Sequence, residues 1–197
     1  MPVPQARRGE LLTRAALVLA AGHGSRLGAT QAKPLVAFRG RPLVLWQVEA
    51  ALGAGLAEVV VVDGAANLAG TLPPAVTLLH NPNWADGQAT SLQVGIGWCR
   101  RQGHEAVLVG LADQPLIPTR AWAAVARAAA APIVIATYSG RRGHPVRLGR
   151  EVWARLPQTG DEGARGLIAA HPELVQEVAC RGEPADLDTE ADLARWR

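Results

Sequence analysis

Short apolar runs alternate with helix-like segments along most of the chain, and this alternation constrains the fold more than any other feature. Seven runs have the length and the Val, Leu and Ile content of strands: residues 15–20, 58–62, 76–80, 106–111, 133–137, 146–148 and 175–178. Helical patterns lie at residues 42–52, 91–101, 118–130, 151–156, 162–170 and 190–195. Strands that are apolar on both faces need a layer of helices on each side. We therefore predict an α/β fold, a three-layer α/β/α sandwich around a mainly parallel (mixed), Rossmann-like sheet.

Length and cysteine content indicate one domain in a reducing compartment. The chain has 197 residues, 49% of them hydrophobic, which is enough for one core of ordinary size. We expect a flexible N-terminal tail over residues 1–14 and a single domain over residues 15–197. Because Cys99 and Cys180 lie far apart and form no C-x-x-C pair, the sequence indicates neither a disulfide framework nor a zinc site, and a cytoplasmic location is expected.

Charge and hydropathy exclude two classes of partner. The net charge is only +3, and the arginines form no basic, aromatic-interleaved stripe of the kind that nucleic-acid modules carry. No stretch approaches the roughly 20 apolar residues that cross a bilayer. We therefore expect neither a nucleic-acid nor a membrane partner.

The first predicted strand leads into a glycine-bearing loop. Its sequence is Leu-Ala-Ala-Gly-His-Gly-Ser-Arg-Leu-Gly, and Lys33, the sole lysine among 20 basic residues, follows it. Glycines let backbone N–H groups approach an anion, and the two cations add donors. The loop predicts a polyphosphate cradle whose candidate residues are Ala20, Ala21, Gly22, Gly24, Ser25, Arg26 and Lys33. The glycine spacing fits neither the P-loop nor the dinucleotide motif, and the alternative is a glycine-rich turn with incidental charges.

Carboxylates follow the fourth predicted strand and precede the last predicted helix. Asp113 stands just beyond residues 106–111, at the rim of the sheet, where a carboxylate is well placed to hold Mg²⁺ on a triphosphate; the alternative is a helix cap. Asp186 and Asp188 alternate in an extended segment, and Thr189 with Asp192 fits a capping box. Both Asp186 and Asp188 have an alternative role as solvated capping residues.

Three further loop segments carry candidate residues. In residues 81–92, Asn81 and Ser91 lie between a strand and a helix and are assigned to nucleotide binding, whereas Trp84 is expected to anchor the loop on the core in preference to serving as a stacking platform. Residues 139–145 and 160–165 would receive an anionic acceptor. Their candidate residues are Arg141, Arg142, His144 and Arg165, and the alternative is a solvated hairpin and a helix start.

The first loop, with a lysine seven residues after its arginine, resembles the NTP-transferase superfamily with the nucleotide-diphospho-sugar-transferase fold. The later motifs are similar to the molybdenum cofactor cytidylyltransferase branch: Asn-Pro-x-Trp-x-x-Gly, Ala-Asp-Gln-Pro, Arg-Gly-His-Pro, Gly-Asp-x-Gly-Ala-Arg and Asp-x-Asp-Thr-x-x-Asp-Leu. The resemblance implies that Asp113 is the magnesium ligand and Asp188 a second one, that CTP is the donor, and that molybdopterin is the acceptor. His23 and Gly24 depart from the branch.

The expected reaction needs no general base. A phosphate monoester is largely dianionic at neutral pH, so it would attack the α-phosphorus directly while Arg26, Lys33 and the metal on Asp113 stabilise the departing pyrophosphate. The product would pass to a molybdoenzyme or its chaperone. The alternatives are guanylyl transfer, a sugar-phosphate acceptor on the same fold, a non-catalytic carrier of nucleotide or molybdopterin, and a Rossmann oxidoreductase.

Overall fold

A computed structural model describes residues 13–24 and 32–196. Of the predicted site residues, Ser25 and Arg26 lie outside the described residues, as do residues 1–12 of the predicted tail. No helix in the described ranges is long and apolar enough to span a membrane.

In the part of the chain that the structure describes, nine strands form two sheets. They are β1 (Arg14–Leu19), β2 (Ala37–Phe38), β3 (Arg41–Pro42), β4 (Glu58–Asp63), β5 (Val76–His80), β6 (Ala106–Leu111), β7 (Ile133–Tyr138), β8 (Arg141–Gly149) and β9 (Val175–Ala179). Seven of them make the central sheet in the order β5-β4-β1-β6-β8-β7-β9, and β2 pairs with β3 as a small hairpin. Only β8 runs antiparallel to its two neighbours, so the predicted mixed, mainly parallel sheet is confirmed.

Helices cover both faces of the central sheet. They are α1 (Leu43–Leu52), α2 (Gln88–Arg101), α3 (Thr119–Arg127) and α4 (Arg165–Ala170), whereas α5 (Glu190–Arg195) packs through Leu193 in a separate cluster with Phe38 and Leu43. Alternate β1 residues point to opposite faces, as the twofold repeat of a strand requires. Val18 packs in a cluster with α1 and α3, whereas Leu17 packs in a second cluster with α2 and α4. The predicted three-layer sandwich follows from these two apolar interfaces.

Several predicted boundaries are wrong, and each error has a local cause. The strand predicted at residues 146–148 begins at Arg141, because Ser139 and Gly140, with φ of 49° and 80°, turn the chain directly back from β7. The helix predicted at residues 162–170 begins only at Arg165, since Gly163 has a positive φ of 53°. Residues 150–155 form a 3-10 helix.

The remaining differences are smaller. The helix predicted at residues 91–101 starts earlier, at Gln88, and the one predicted at residues 118–130 ends at Arg127. The β2–β3 hairpin was not predicted. Strand β1 begins at Arg14, which had been predicted as the last residue of the N-terminal tail.

Candidate active site

Lys33 joins two carboxylates at the carboxyl-terminal edge of the sheet. Its Nζ donates to Asp113 Oδ2 at 2.6 Å and also to Asp188 Oδ1. Burial alone would lower the pKa of Lys33, but the charges and hydrogen bonds of the two carboxylates outweigh it and raise that pKa. In the sequence, Asp113 and Asp188 lie 80 and 155 positions after Lys33. The structure brings the three residues together, with the Lys33 ammonium between the two carboxylates.

Gly24 and the C-terminal segment hold this group in place. Lys33 N–H donates to the His23 carbonyl at 3.2 Å, and Gly24 has a φ of +71°. A Cβ on Gly24 would overlap the side chain of Lys33, so glycine is required both for the backbone angle and for the close approach. Leu187 N–H donates to the Asp113 carbonyl at 2.9 Å, which brings Asp188 beside the end of β6.

The donor set fits a divalent cation bound together with phosphates. Asp113 Oδ1 is buried and has no hydrogen-bond partner among the described residues, although buried carboxylate oxygens are normally satisfied. Within residues 13–24 and 32–196, no group of three or more His, Cys, Asp or Glu side chains would hold a metal ion. A cation here would therefore be held by the carboxylates of Asp113 and Asp188 and would take its other ligands from phosphate or water, as Mg²⁺ commonly does.

A cavity of about 360 Å³ opens beside these residues. We call it the first cavity. Six of the predicted site residues line it: Ala20, Ala21, Gly22, Lys33, Ser91 and Asp113. The ends of β1 and β6 thus meet at one site, as expected for the carboxyl-terminal edge of a parallel sheet.

Asn81 lies behind the wall of the first cavity. It is 1% exposed, and its side-chain amide donates to Thr90 Oγ1 and to Ser91 Oγ, each at 2.8 Å. Its side-chain carbonyl accepts from Asn83 N–H at 3.0 Å. Asn81 is thus satisfied within the protein and orients Ser91, which does line the cavity.

His144 faces a second cavity of about 290 Å³. Its floor is aliphatic, from residues such as Val146 and Ile168, and Arg142 and Arg165 stand among its polar lining residues. Leu19 and Gln88 line both cavities, so the two are adjacent. Arg141 is exposed on the β7–β8 hairpin and lines neither cavity.

A chain of side chains links His144 to the carboxylates. His144 Nδ1 lies 3.1 Å from Gln114 Oε1, and Gln114 Nε2 donates to Asp186 Oδ1 at 2.8 Å. Burial lowers the pKa of His144 to about 4, so the imidazole is neutral at pH 7, and burial together with the Asp113 charge raises the pKa of Asp186. Thr189 and Asp192 form the predicted capping box of α5.

Sequence reasoning missed two features of the first cavity. Trp84, expected on the core, lines the cavity and is only partly buried. Asp161, expected on the acceptor side, also lines it, and its Oδ1 accepts from Gln88 N–H at 3.3 Å. The Gly-Asp pair was part of a predicted motif. Nothing in the sequence, however, showed that Gly160 packs against Gly87 at the start of α2, which places Asp161 at the first cavity.

Comparison with known proteins decides the family. A family model described as the MobA-like NTP transferase domain matches residues 16–175. The chain belongs to this family. The nucleotidyltransferase resemblance found in the sequence is thereby confirmed.

Relatives of this MobA-like NTP transferase carry different names. Nicotine blue oxidoreductase from Paenarthrobacter nicotinovorans is 33% identical over 91% of this chain and 94% of that protein. Molybdenum cofactor guanylyltransferase from Cereibacter sphaeroides is 28% identical over 91% and 93% of the two chains. The solved structure of Rv0371c from Mycobacterium tuberculosis in complex with manganese has a TM-score of 0.75 at 24% identity, covering 93% of this chain and 97% of that one. This last likeness supports the fold.

Proposed function

We propose that this MobA-like NTP transferase transfers CMP from CTP to the phosphate of molybdopterin in the cytoplasm, with release of pyrophosphate. The observation that carries the proposal is the contact of Lys33 with both Asp113 and Asp188 beside the glycine-bearing first loop. Two carboxylates and one ammonium suit a metal-bound polyphosphate. The product would then serve a molybdoenzyme or its chaperone.

We assign the first cavity to the donor nucleotide. Backbone groups of Ala20, Ala21 and Gly22 would face it, and Asp113 and Asp188 would hold Mg²⁺. When bound, the cation supplies positive charge that neutralises the phosphates of the donor. Lys33 would give up part of its contact with the two carboxylates and donate a hydrogen bond to the departing pyrophosphate. Arg26, which lies outside the described residues, would add a second cation.

We assign the second cavity to the acceptor. It adjoins the first at Leu19 and Gln88, and its guanidinium groups from Arg142 and Arg165 would receive a dianionic phosphate. Such a phosphate needs no general base, which agrees with a neutral His144 committed to Gln114. Catalysis then consists of positioning and charge neutralisation.

The choice of CTP depends on the five later motifs, which resemble the cytidylyl branch. A relative named as a guanylyltransferase, 28% identical, makes GTP the nearest alternative donor. A relative named as an oxidoreductase, 33% identical, makes a redox function the second candidate.

One competition experiment separates these candidates. The purified protein would be given molybdopterin, Mg²⁺ and equimolar CTP, GTP and ATP, and the pterin nucleotide would be identified by mass, with Asp113→Asn as the inactive control. We expect a cytidine product. A guanine product would overturn the donor assignment, and no nucleotide product, together with oxidation of added NADH or NADPH, would favour the redox function.

A further inference from the structure

Two aromatic side chains stand together at the first cavity without a role in the proposed chemistry. The rings of His23 and Trp84 are near parallel, at 22°, with their centroids 6.4 Å apart. This spacing lies near the upper end of the roughly 4.5–7 Å range of aromatic pairs. Trp84 lines the cavity, and His23 follows Gly22, which also lines it. His23 is also a position where the first loop departs from the pattern that it resembles.

The base of the Trp84 side chain is fixed by a close approach of the backbone. A Cβ on Gly64 would lie 2.6 Å from Trp84 Cβ and 2.8 Å from Ala21 Cβ, so only glycine leaves room for both neighbours. Trp84 itself sits in a short 3-10 helix, residues 84–86, and belongs to none of the core clusters of the described residues. The first atoms of the Trp84 side chain are therefore held close to Gly64 and Ala21, while part of the residue stays accessible.

We propose that Trp84, with His23 beside it, is the stacking platform for the nucleobase of the donor; this inference rests on the proposed nucleotidyl transfer. Every base has a π face, so an aromatic platform binds bases with little regard to their identity. The platform would thus strengthen the binding of CTP and GTP alike. Selection between them would depend on other groups that meet the edge of the base.

The test compares ligands with and without a base. Binding of CTP, GTP and inorganic tripolyphosphate, each with Mg²⁺, would be measured by calorimetry for the wild type and for Trp84→Leu, which keeps apolar bulk but has no π face. Because base–aromatic stacking contributes about 1–3 kcal/mol, we expect Kd for CTP and GTP to rise about 5- to 150-fold. Kd for tripolyphosphate should stay within about twofold, since it has no base to stack.

Matched variants check the two rings separately. His23→Ala should weaken both nucleotides, whereas His171→Ala, which removes an exposed histidine outside both cavities, should not. If Trp84→Leu does not fold, Trp84→Phe serves: quenching of tryptophan fluorescence by CTP should fall in this variant and persist in Trp46→Phe.

The outcomes separate this proposal from the proposed function. Suppose that the wild type binds nucleotides. If Trp84→Leu binds them equally well, or if its affinity for tripolyphosphate falls as much as its affinity for nucleotides, the platform is overturned and the transferase function stands. If the wild type binds no nucleotide, the transferase function fails and the platform with it.

Discussion

At the scale of single residues, the candidate site is built around an ammonium that contacts two carboxylates. Lys33 is 8% exposed and contacts Asp113 and Asp188. From the sequence, Lys33 was predicted only as a residue of the polyphosphate cradle. The structure shows that its buried ammonium joins two partly exposed carboxylates in one ionic group.

Lys33→Ala should therefore lose activity and also some stability. Without the ammonium, the partly exposed carboxylates of Asp113 and Asp188 face each other uncompensated, and losing the partner at such a solvent-screened site costs about 1 kcal/mol. Turnover should fall at least about 100-fold, as when a donor to developing charge is removed. Thermal melts should show a lower Tm that Mg²⁺ restores more in the variant than in the wild type. An active variant with an unchanged melt would contradict this.

Asp113→Asn and Asp188→Asn should both impair transfer, the former more. Asp113 has the side chain with the lower exposure, 26% against 41%, and its Oδ1 has no protein partner in the described chain. We expect kcat to fall at least about 100-fold for Asp113→Asn and at least about 10-fold for Asp188→Asn. Asp192→Asn, which weakens the cap of α5, should lower Tm and leave kcat near wild type. Wild-type activity in Asp188→Asn would reduce the last motif to a helix cap.

The sequence predicted Lys33 and Asp113 because their types and positions are unusual: one lysine in the whole chain, and an aspartate just after an apolar strand. It did not predict the ring pair of His23 and Trp84, or that Asn81 supports Ser91 from behind. Those contacts depend on how loops from different strands pack together, and no periodic pattern encodes that packing.

At the scale of elements, helix α2 approaches strand β1 more closely than side chains normally permit. A Cβ on Gly95 would lie 3.0 Å from Leu17 Cγ and closer still to both of its methyl groups. Gly97, two residues on in the same helix, would gain a Cβ with only an Arg101 guanidinium nitrogen nearby, at 3.6 Å. The two glycines thus serve different purposes within one helix.

The same substitution should have opposite effects at these two positions. Gly95→Ala forces a methyl group into the packed face and should destabilise the protein by about 1–3 kcal/mol. Gly97→Ala should stabilise it by about 0.5–1 kcal/mol, because alanine restricts the unfolded chain and favours the helix. Urea unfolding of both variants would measure this. A gain of similar size at both positions would mean that helix propensity, and not the contact with Leu17, decides the effect.

Which elements exist could be predicted from their periodicity, whereas several of their ends could not. Helix α3 stops at Arg127, where the guanidinium of Arg147, from β8, donates to the carbonyls of Ala128 and Ala129 at 3.0 and 2.6 Å. Arg147 lies 19 and 18 positions after these two alanines in the sequence. Residues 128–131 are all alanine, which favours a helix, so the sequence predicted that the helix would continue. The end of α3 is thus accompanied by a tertiary contact that the local sequence does not show.

At the scale of the whole molecule, Glu58 ties three elements together at the edge opposite the site. It accepts hydrogen bonds from Thr77 Oγ1 at 2.7 Å and Trp98 Nε1 at 3.0 Å, and it lies 2.9 Å from His104 Nε2. Burial alone would raise the pKa of Glu58, but these partners lower it below its ordinary value of 4.5. A depressed pKa means that the contribution to stability is present above about pH 4.5 and is lost as the pH falls through the folded value.

Glu58→Gln should therefore destabilise the protein at pH 7, by about 1 kcal/mol, and less so in acid. The gap between its Tm and that of the wild type should narrow as the pH drops below about 4.5, where the carboxylate of the unfolded chain becomes protonated, and narrow further as the pH falls through the lower pKa of the folded state. Glu105→Gln, which removes an exposed carboxylate, is the control and should change little at either pH. A gap that is the same at both pH values would indicate that the charge of Glu58 does not matter.

The central claim is that Asp113 and Asp188 bind a nucleoside triphosphate together with a divalent cation, and a thermal melt tests it most directly. A ligand at 100 times its Kd stabilises by about 2.7 kcal/mol, which for a chain of this size raises Tm by roughly 5–10 °C. We predict such a rise with CTP and Mg²⁺ together, a much smaller one with either alone, and none in Asp113→Asn. A Tm that no triphosphate raises in the presence of Mg²⁺, or that rises equally in Asp113→Asn, would contradict the account.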